Sequence, residues 1–304
     1  MMVEKDIQNL IKEIKELKIQ GNTNIAKSSA KGLLEFVTHA KVDNLADFIL
    51  KIKKYAIELA EARPNEPLAF NAMTFIIKDI EKCDTHQQVR VRLIERIESF
   101  FNYIDESYEI IRQNAFDLIK GYDIYITHCH SSLVRDVLIK IHKFNPKIKV
   151  ITTETRPMYQ GRITAKKLSD EGVEVLQIVD SATSSILLDQ RYSKPDVILV
   201  GSDGVTVDGD LINKIGTYNI AIAAKEAGIP VYVLTQSMKL DLRSSKKEDF
   251  QIELRDVKEI WEKPPKNVSL LNPAFDLVPA KYITGGYITE KGVLKPSEFK
   301  NLIH

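Results

Sequence analysis

At Gly121 the spacing of apolar residues changes character, and this change constrains the fold more than any other feature of the chain. Upstream, apolar positions recur every three or four residues, the repeat that buries one stripe of a helix. Ile7, Leu10, Ile11, Ile14 and Leu17 form the first such series. Further helices are expected over Ile25 to Val37, Leu45 to Ala62, Ala69 to Ile80 and His86 to Lys120. Gly21-Asn22-Thr23 breaks the first pattern. The Arg63-Pro64-Asn65-Glu66-Pro67 turn stops the third helix, because proline disfavours helical backbone in the residue before it.

Downstream, short apolar runs alternate with helical stretches. Strands are expected at Asp123 to Thr127, Ile148 to Thr152, Glu174 to Val179, Asp196 to Val200 and Pro230 to Leu234. Helices are expected between them at Ser132 to Lys143, Gln160 to Glu171, Ser181 to Leu188 and Ile220 to Ala227. Strand–helix alternation with short connections implies a parallel sheet covered on both faces. The expected class is therefore α/β, with a helical domain over 1–120 and a parallel-sheet domain over 121–304. The charged stretch Arg243-Ser-Ser-Lys-Lys-Glu-Asp is expected to be a loop.

Composition narrows the function. The 43 basic and 42 acidic side chains nearly cancel, so no global field points to nucleic acid, and an anionic ligand must be met by a local cluster. No run approaches the ~18 apolar residues of a membrane span. The amphipathic start lacks the apolar core of a secretion signal. The two cysteines, Cys83 and Cys129, make no disulfide framework, and a reducing cytoplasm is the expected compartment.

Three polar clusters fall at strand ends, where open α/β sheets bind ligands. Thr127-His128-Cys129-His130-Ser131-Ser132 joins a strand to a helix. Cys129 near a helix N-terminus suits a stabilised thiolate; the same pattern also suits a buried cysteine with Ser131 or Ser132 as an N-cap. The cluster supplies too few ligands for a metal site. In Thr153-Glu154-Thr155-Arg156-Pro157-Met158-Tyr159-Gln160-Gly161-Arg162, the two arginines suit either an oxyanion or a salt-bridge network with Glu154. Gly201-Ser202-Asp203-Gly204-Val205 runs on to Asn213-Lys214-Ile215-Gly216-Thr217. Here Asp203 suits acid–base work and Lys214, before a helix, suits a phosphate; the alternative is a turn-capping aspartate and a solvated lysine. Neither a dinucleotide fingerprint nor a P-loop is present.

Taken in order, these motifs resemble a known family. Thr-Glu-Thr-Arg-Pro-x-x-Gln-Gly-Arg, Val179-Asp180-Ser181-Ala182, Gly-x-Asp-Gly-Val-Thr-x-Asp-Gly and Asn-Lys-Ile-Gly-Thr are similar to the superfamily of initiation factor 2B alpha, beta and delta subunits. The closing Asn272-Pro273-Ala274-Phe275-Asp276-Leu-Val-Pro279 and Ile283-Thr284-Gly285 match its C-terminal signature. The resemblance spans most of the chain. It implies a helical domain before a Rossmann-like one, and a superfamily holding both sugar-phosphate isomerases and non-catalytic regulatory subunits.

The enzymes resemble one another in a reactive cysteine and an aspartate, which fall here on Cys129 and Asp203; regulatory subunits generally lack the pair. The resemblance leans toward the ribose-1,5-bisphosphate isomerases, with 5-methylthioribose-1-phosphate isomerase and a regulatory subunit as alternatives. It implies substrate contacts at Gln20, Gly21, Asn22, Thr23, Arg63, Ser131, Ser132, Leu133, Asn213, Lys214 and Lys239. It further implies Cys129 as base and Asp203 as acid, in roles that can be exchanged. The other implications are no metal or other cofactor, AMP as an activator in nucleotide salvage, and a homo-oligomer, either a dimer or a trimer of dimers. One departure stands out: Gln20-Gly21 occupies a place where the family usually has Arg-Gly, which removes one cation from a phosphate site.

Overall fold

The computed structural model describes residues 2–244 and 252–302, in two compact units, 1–106 and 107–304. Of the charged stretch expected as a loop, residues 245–249 lie outside the described residues. Arg243 is paired with Asp241, Nε to Oδ1 2.9 Å.

The first unit is helical: α1 (Met2–Lys15), α2 (Asn22–His39), α3 (Leu45–Ala60), α4 (Pro67–Ile77) and the first part of α5 (His86–Ile119). Ile7, Ile11 and Ile14 of α1 are buried, as helical spacing requires. Asn44 caps α3 by accepting from the Asp47 N–H at 3.1 Å. α4 begins at Pro67, earlier than expected, because a first-turn residue needs no hydrogen-bonded N–H and proline supplies a helical φ.

The second unit takes the rest of α5, where Ile111, Ala115 and Ile119 are buried in a core shared with Tyr125, Val137 and Val150. The division between units therefore falls inside this helix. The later helices are α6 (Ser132–Phe144), α7 (Gln160–Asp170), α8 (Thr183–Leu188) and α9 (Thr217–Ala227). In chain order the strands are β1 (Ile124–Thr127), β2 (Lys149–Thr153), β3 (Glu174–Ile178), β4 (Val197–Val200), β5 (Gly204–Thr206), β6 (Leu211–Lys214), β7 (Val231–Leu234), β8 (Leu240–Asp241), β9 (Phe275–Val278), β10 (Gly286–Thr289) and β11 (Gly292–Leu294).

The main sheet has the order β11-β10-β7-β4-β1-β2-β3 and is parallel except for β11, which runs antiparallel to β10. Ile126 of β1 lies between Ile151 of β2 and Ile198 of β4. One face packs against α5 and α6, the other against α8 and α9. The strand order reverses between β1 and β4: the chain builds outward through β2 and β3, then crosses to β4 on the other side of β1. Ligands of open α/β sheets bind at the carboxyl ends of the two strands flanking such a reversal.

A second sheet, β8-β5-β6-β9, stands on the segments that follow β4 and β7. β5 and β6 form an antiparallel pair with Gly204 opposite Ile212, and β6 pairs β9 with Asn213 opposite Asp276. This sheet was not expected. Its strands are two to four residues long, too short to carry a periodicity, and β5 and β6 lie among glycines and aspartates that suit a loop. Among the described residues no helix is long and apolar enough to cross a membrane.

Candidate active site

Cys129 and Asp203 follow β1 and β4, the two strands that flank the reversal. Their loops touch: a Cβ on Gly201 would stand 2.9 Å from the Cβ of Ser131, so only glycine allows this approach.

Cys129 has φ 66°, the left-handed region, where a non-glycine residue carries ~1–2 kcal/mol of strain. Its N–H donates to Thr155 Oγ1 at 2.9 Å, and its carbonyl accepts from Thr164 Oγ1 at 2.8 Å. The residue is half-buried. Burial pushes the thiol up to about 11; Lys214 opposes this, the negative charge of Asp203 adds to it, and the His130 backbone N–H opposes it. Of the two alternatives, the geometry favours the buried cysteine followed by a serine N-cap, since desolvation outweighs the nearby cation.

The flanking histidines do not supply a cation. His128 is buried, with Nδ1 2.6 Å from Thr153 Oγ1 and Nε2 2.9 Å from the Ile215 carbonyl. Since Ile215 can only accept, Nε2 carries the proton and the Thr153 hydroxyl donates to Nδ1. Desolvation lowers the His128 pKa. Desolvation, with Lys167 and Arg135 nearby, brings His130 down to about 4. A histidine lowered on folding contributes stability that is complete above its unfolded pKa, near 6.5, and is lost as pH falls toward the folded value. Denaturant titrations between pH 7 and 4.5 are therefore expected to show falling stability, with a shallower fall in His130→Gln. Equal slopes would count against this reading.

Asp203 is fixed through its backbone N–H, which donates to the Ile212 carbonyl at 2.9 Å and extends the β5–β6 ladder. The preceding residue is held by Lys239, a buried side chain whose Nζ donates to the Ser202 carbonyl at 2.7 Å. Lys239 thus braces the loop that carries Asp203.

Lys214 ends β6 with Nζ 4.7 Å from the centre of the Phe275 ring, a cation–π contact. Asn213 is buried and donates to Thr217 Oγ1 at 3.0 Å. The start of α9 is already supplied with an anion. Asp276 Oδ2 accepts from the N–H groups of Gly216 and Tyr218 at 2.8 and 2.9 Å. Burial raises the Asp276 pKa, opposed by those two hydrogen bonds. The arrangement that suggested a phosphate at this helix end therefore serves an internal carboxylate, and Lys214 itself remains the cation of the cluster.

At α6, Ser131 is the N-cap, accepting from the Val134 N–H at 3.4 Å. Ser132 interacts with Tyr108, whose hydroxyl donates to Asp136 at 2.5 Å. Leu133 sends its side chain into the core, so what it offers a ligand is its first-turn N–H. The Arg156 and Arg162 cluster resolves toward the salt-bridge alternative. Arg162 pairs with Glu154 at 2.9 Å, and both guanidinium groups lie over the Tyr159 ring, at 4.9 Å for Arg156 and 3.7 Å for Arg162.

Cys129, Ser131, Ser132, Leu133, Asp203, Asn213, Lys214 and Lys239 are thus one neighbourhood in the second unit. Gln20, Gly21, Asn22, Thr23 and Arg63 belong to the first. There, Gln20 is exposed and turned back to donate to the Leu17 carbonyl at 2.8 Å. Gly21 takes φ 87° at the start of α2, Asn22 is buried and Thr23 half-buried. Gln20 also lines an open cavity of about 470 Å³ with Lys18, Lys27 and Lys31. Arg63 and Glu66 form a buried pair at 3.1 Å within the proline turn. Sequence reasoning did not single out Thr155, Thr164 and Asp276; Thr155 and Asp276 sit inside quoted motifs and Thr164 lies two residues beyond one, but nothing in their spacing marks a contact with the Cys129 loop or the start of α9. Among the described residues no group of three or more His, Cys, Asp or Glu side chains is placed to hold a metal ion.

Comparison with known proteins follows the same lines. Residues 18–296 match the Initiation factor 2 subunit family. A protein of Thermococcus kodakarensis named ribose 1,5-bisphosphate isomerase is 32% identical over 306 residues, covering 97% of this chain and 93% of its own. One of Heliobacterium modesticaldum named methylthioribose-1-phosphate isomerase is 31% identical over 306 residues, covering 95% and 87%. The crystal structure described as translation initiation factor eIF-2B of Pyrococcus horikoshii OT3 superposes with a TM-score of 0.79 at 29% identity, covering 95% of this chain and 97% of that one.

Proposed function

The chain belongs to the Initiation factor 2 subunit family, and from that premise we propose that it is an aldose–ketose isomerase converting ribose 1,5-bisphosphate to ribulose 1,5-bisphosphate, with Cys129 and Asp203 as the reactive pair. One observation carries the reading: the thiol and the carboxylate follow the two strands that flank the sheet reversal, close enough for the charge of Asp203 to act on the thiol.

The chemistry needs two proton positions. A phosphate on the anomeric oxygen prevents simple ring opening, so the ring oxygen must receive a proton while C2 loses one. Loss of the C2 proton as the C1–ring-oxygen bond breaks leaves an enol across C1 and C2; the 2-hydroxyl then gives up its proton as C1 gains one, so two protons taken up match two released and no hydride leaves. A thiol raised by burial holds its proton at neutral pH, so the first proton it moves is one it gives. Cys129 is therefore the donor to the ring oxygen and Asp203 the acceptor at C2, the exchanged form of the roles favoured from sequence. The thiol remains more acidic than the sugar hydroxyl it creates, so the transfer runs downhill. Lys214 supplies a cation to a substrate phosphate, with first-turn N–H groups of α6 beside it.

A second reading, 5-methylthioribose 1-phosphate as substrate, is supported by the relative of that name. The two sugars share the 1-phosphate and differ at C5, where one is charged and the other apolar. Incubation with each, followed by detection of the ketose, separates them. The bisphosphate is expected to be turned over with the higher kcat/KM. Lys214→Ala is expected to lose ~2–4 kcal/mol in kcat/KM by leaving a phosphate without its partner. Higher kcat/KM with the methylthio sugar would move the assignment to the second reading, and turnover of neither would favour a non-catalytic regulatory subunit.

A further inference from the structure

We infer that Thr155 and Thr164 are positioning residues for Cys129, their hydroxyls gripping its backbone N–H and carbonyl so that the residue stays in its left-handed conformation. The inference rests on the reading of Cys129 as the reactive thiol.

A cysteine at φ 66° persists only where its surroundings over-determine it. Both backbone polar groups of Cys129 are taken by threonine hydroxyls, at 2.9 Å from Thr155 and 2.8 Å from Thr164. Each threonine is itself fixed and buried. The N–H groups of Thr155 and Arg156 donate to the two carboxylate oxygens of Asp180, at 2.8 and 2.6 Å. Thr155 also has a positive φ, 62°, so the clamp is built from a second residue in the same strained region. The single hydroxyl proton of Thr164 goes to the Cys129 carbonyl, so His130 Nδ1, 2.9 Å away, donates to Thr164. The lowered pKa of His130 leaves that imidazole neutral at pH 7, with its proton on Nδ1.

The packing beneath is equally specific. A Cβ at Gly161 would fall 1.7 Å from the Thr153 carbonyl oxygen and 3.0 Å from Thr155 Oγ1. The start of α7 is thereby seated against the end of β2, and Thr164 comes from the next turn of that same helix. The Thr-Glu-Thr-Arg-Pro motif thus acts on the site through hydroxyl groups rather than through its arginines. Val179-Asp180-Ser181-Ala182 acts through one carboxylate. Neither Thr155 nor Thr164 needs to touch substrate: they set where the thiol stands and how far it is desolvated.

The test compares Thr155→Val and Thr164→Val with Thr155→Ser and Thr164→Ser, in kinetics and in alkylation of Cys129 by iodoacetamide across pH. Alkylation is read on the Cys129 peptide by mass spectrometry, so Cys83 does not interfere. In the valine variants kcat is expected to fall ~10–100-fold with KM within ~3-fold. The alkylation midpoint should fall by about one unit or more toward the range of a solvated thiol. Serine, which keeps the hydroxyl, should restore both measures. An unmoved midpoint in both valine variants overturns the clamp, as does a serine variant as impaired as valine, since that loss would come from packing. If valine prevents folding, Thr155→Ala and Thr164→Ala, which remove the hydroxyl without adding a methyl group, are read in the same way. The two claims fail separately: a shifted midpoint in a protein that turns over no sugar phosphate removes the enzymatic reading alone, and an unshifted midpoint in an active enzyme removes the clamp alone.

Discussion

Serine at position 129 is expected to lower turnover of the sugar phosphate by ~10²–10⁴-fold with little change in melting temperature. The substitution keeps the size and shape of the side chain and replaces a thiol by an alcohol, a far weaker acid. A proton donor to the ring oxygen is then lost. Folding should be spared because the contacts from Thr155 and Thr164 reach the backbone of Cys129, which serine retains. Steady-state kinetics beside a thermal melt decides the matter. Parent-like turnover in a folded Cys129→Ser protein would remove the thiol from the mechanism.

Asp203→Asn should be at least as severe in turnover, ~10³-fold or more, while sugar-phosphate binding persists. The amide copies the carboxylate in shape but takes up no proton at neutral pH. The backbone bond from residue 203 to the Ile212 carbonyl is untouched by the change, so the loop should stay in place. A second readout follows from electrostatics. Asp203 is one of the charges that pushes the Cys129 thiol up, so removing it should lower the pH at which Cys129 is alkylated. Loss of turnover without this shift would mean that the two groups do not share a reacting centre.

The outline of the fold was legible because it follows from local repeats. α5 was expected over His86 to Lys120 and runs His86–Ile119; β1, β2, β3, β4 and β7 lie where short apolar runs lie. Long periodic stretches and buried parallel strands write themselves into sequence, since every third or every consecutive residue must be apolar. The second sheet was not legible. Val205, Leu211 and Ile212 are its buried apolar residues among polar neighbours in β5 and β6, and their pairing with β8 and β9 is decided by tertiary packing.

The same division runs through the site. Cys129, Asp203 and Lys214 could be picked out because strand ends and residue chemistry mark them. What surrounds them could not. That Asp276 would satisfy the first turn of α9, sixty residues away in sequence from Gly216, is a matter of the fold alone. Arg63 and Lys239 illustrate the converse. Each has the right chemistry for a phosphate, yet the first is paired with buried Glu66 and the second donates to the Ser202 carbonyl. A cation in a sequence does not reveal whether the fold has already given it a partner.

The β5–β6 hairpin has a consequence for how the site can change over time. Asp203 precedes its first strand and Lys214 ends its second, and the bond from Asp203 to Ile212 ties the two arms together just behind these two side chains. Carboxylate and ammonium are thereby carried on one short cassette of contiguous chain. Exchanged whole between relatives, such a cassette would transfer both groups at a fixed spacing. The turn between β5 and β6 is itself pinned, the Gly209 carbonyl accepting from the Tyr287 hydroxyl and Asp210 from the Ala280 N–H, so an insertion there would first have to displace those contacts.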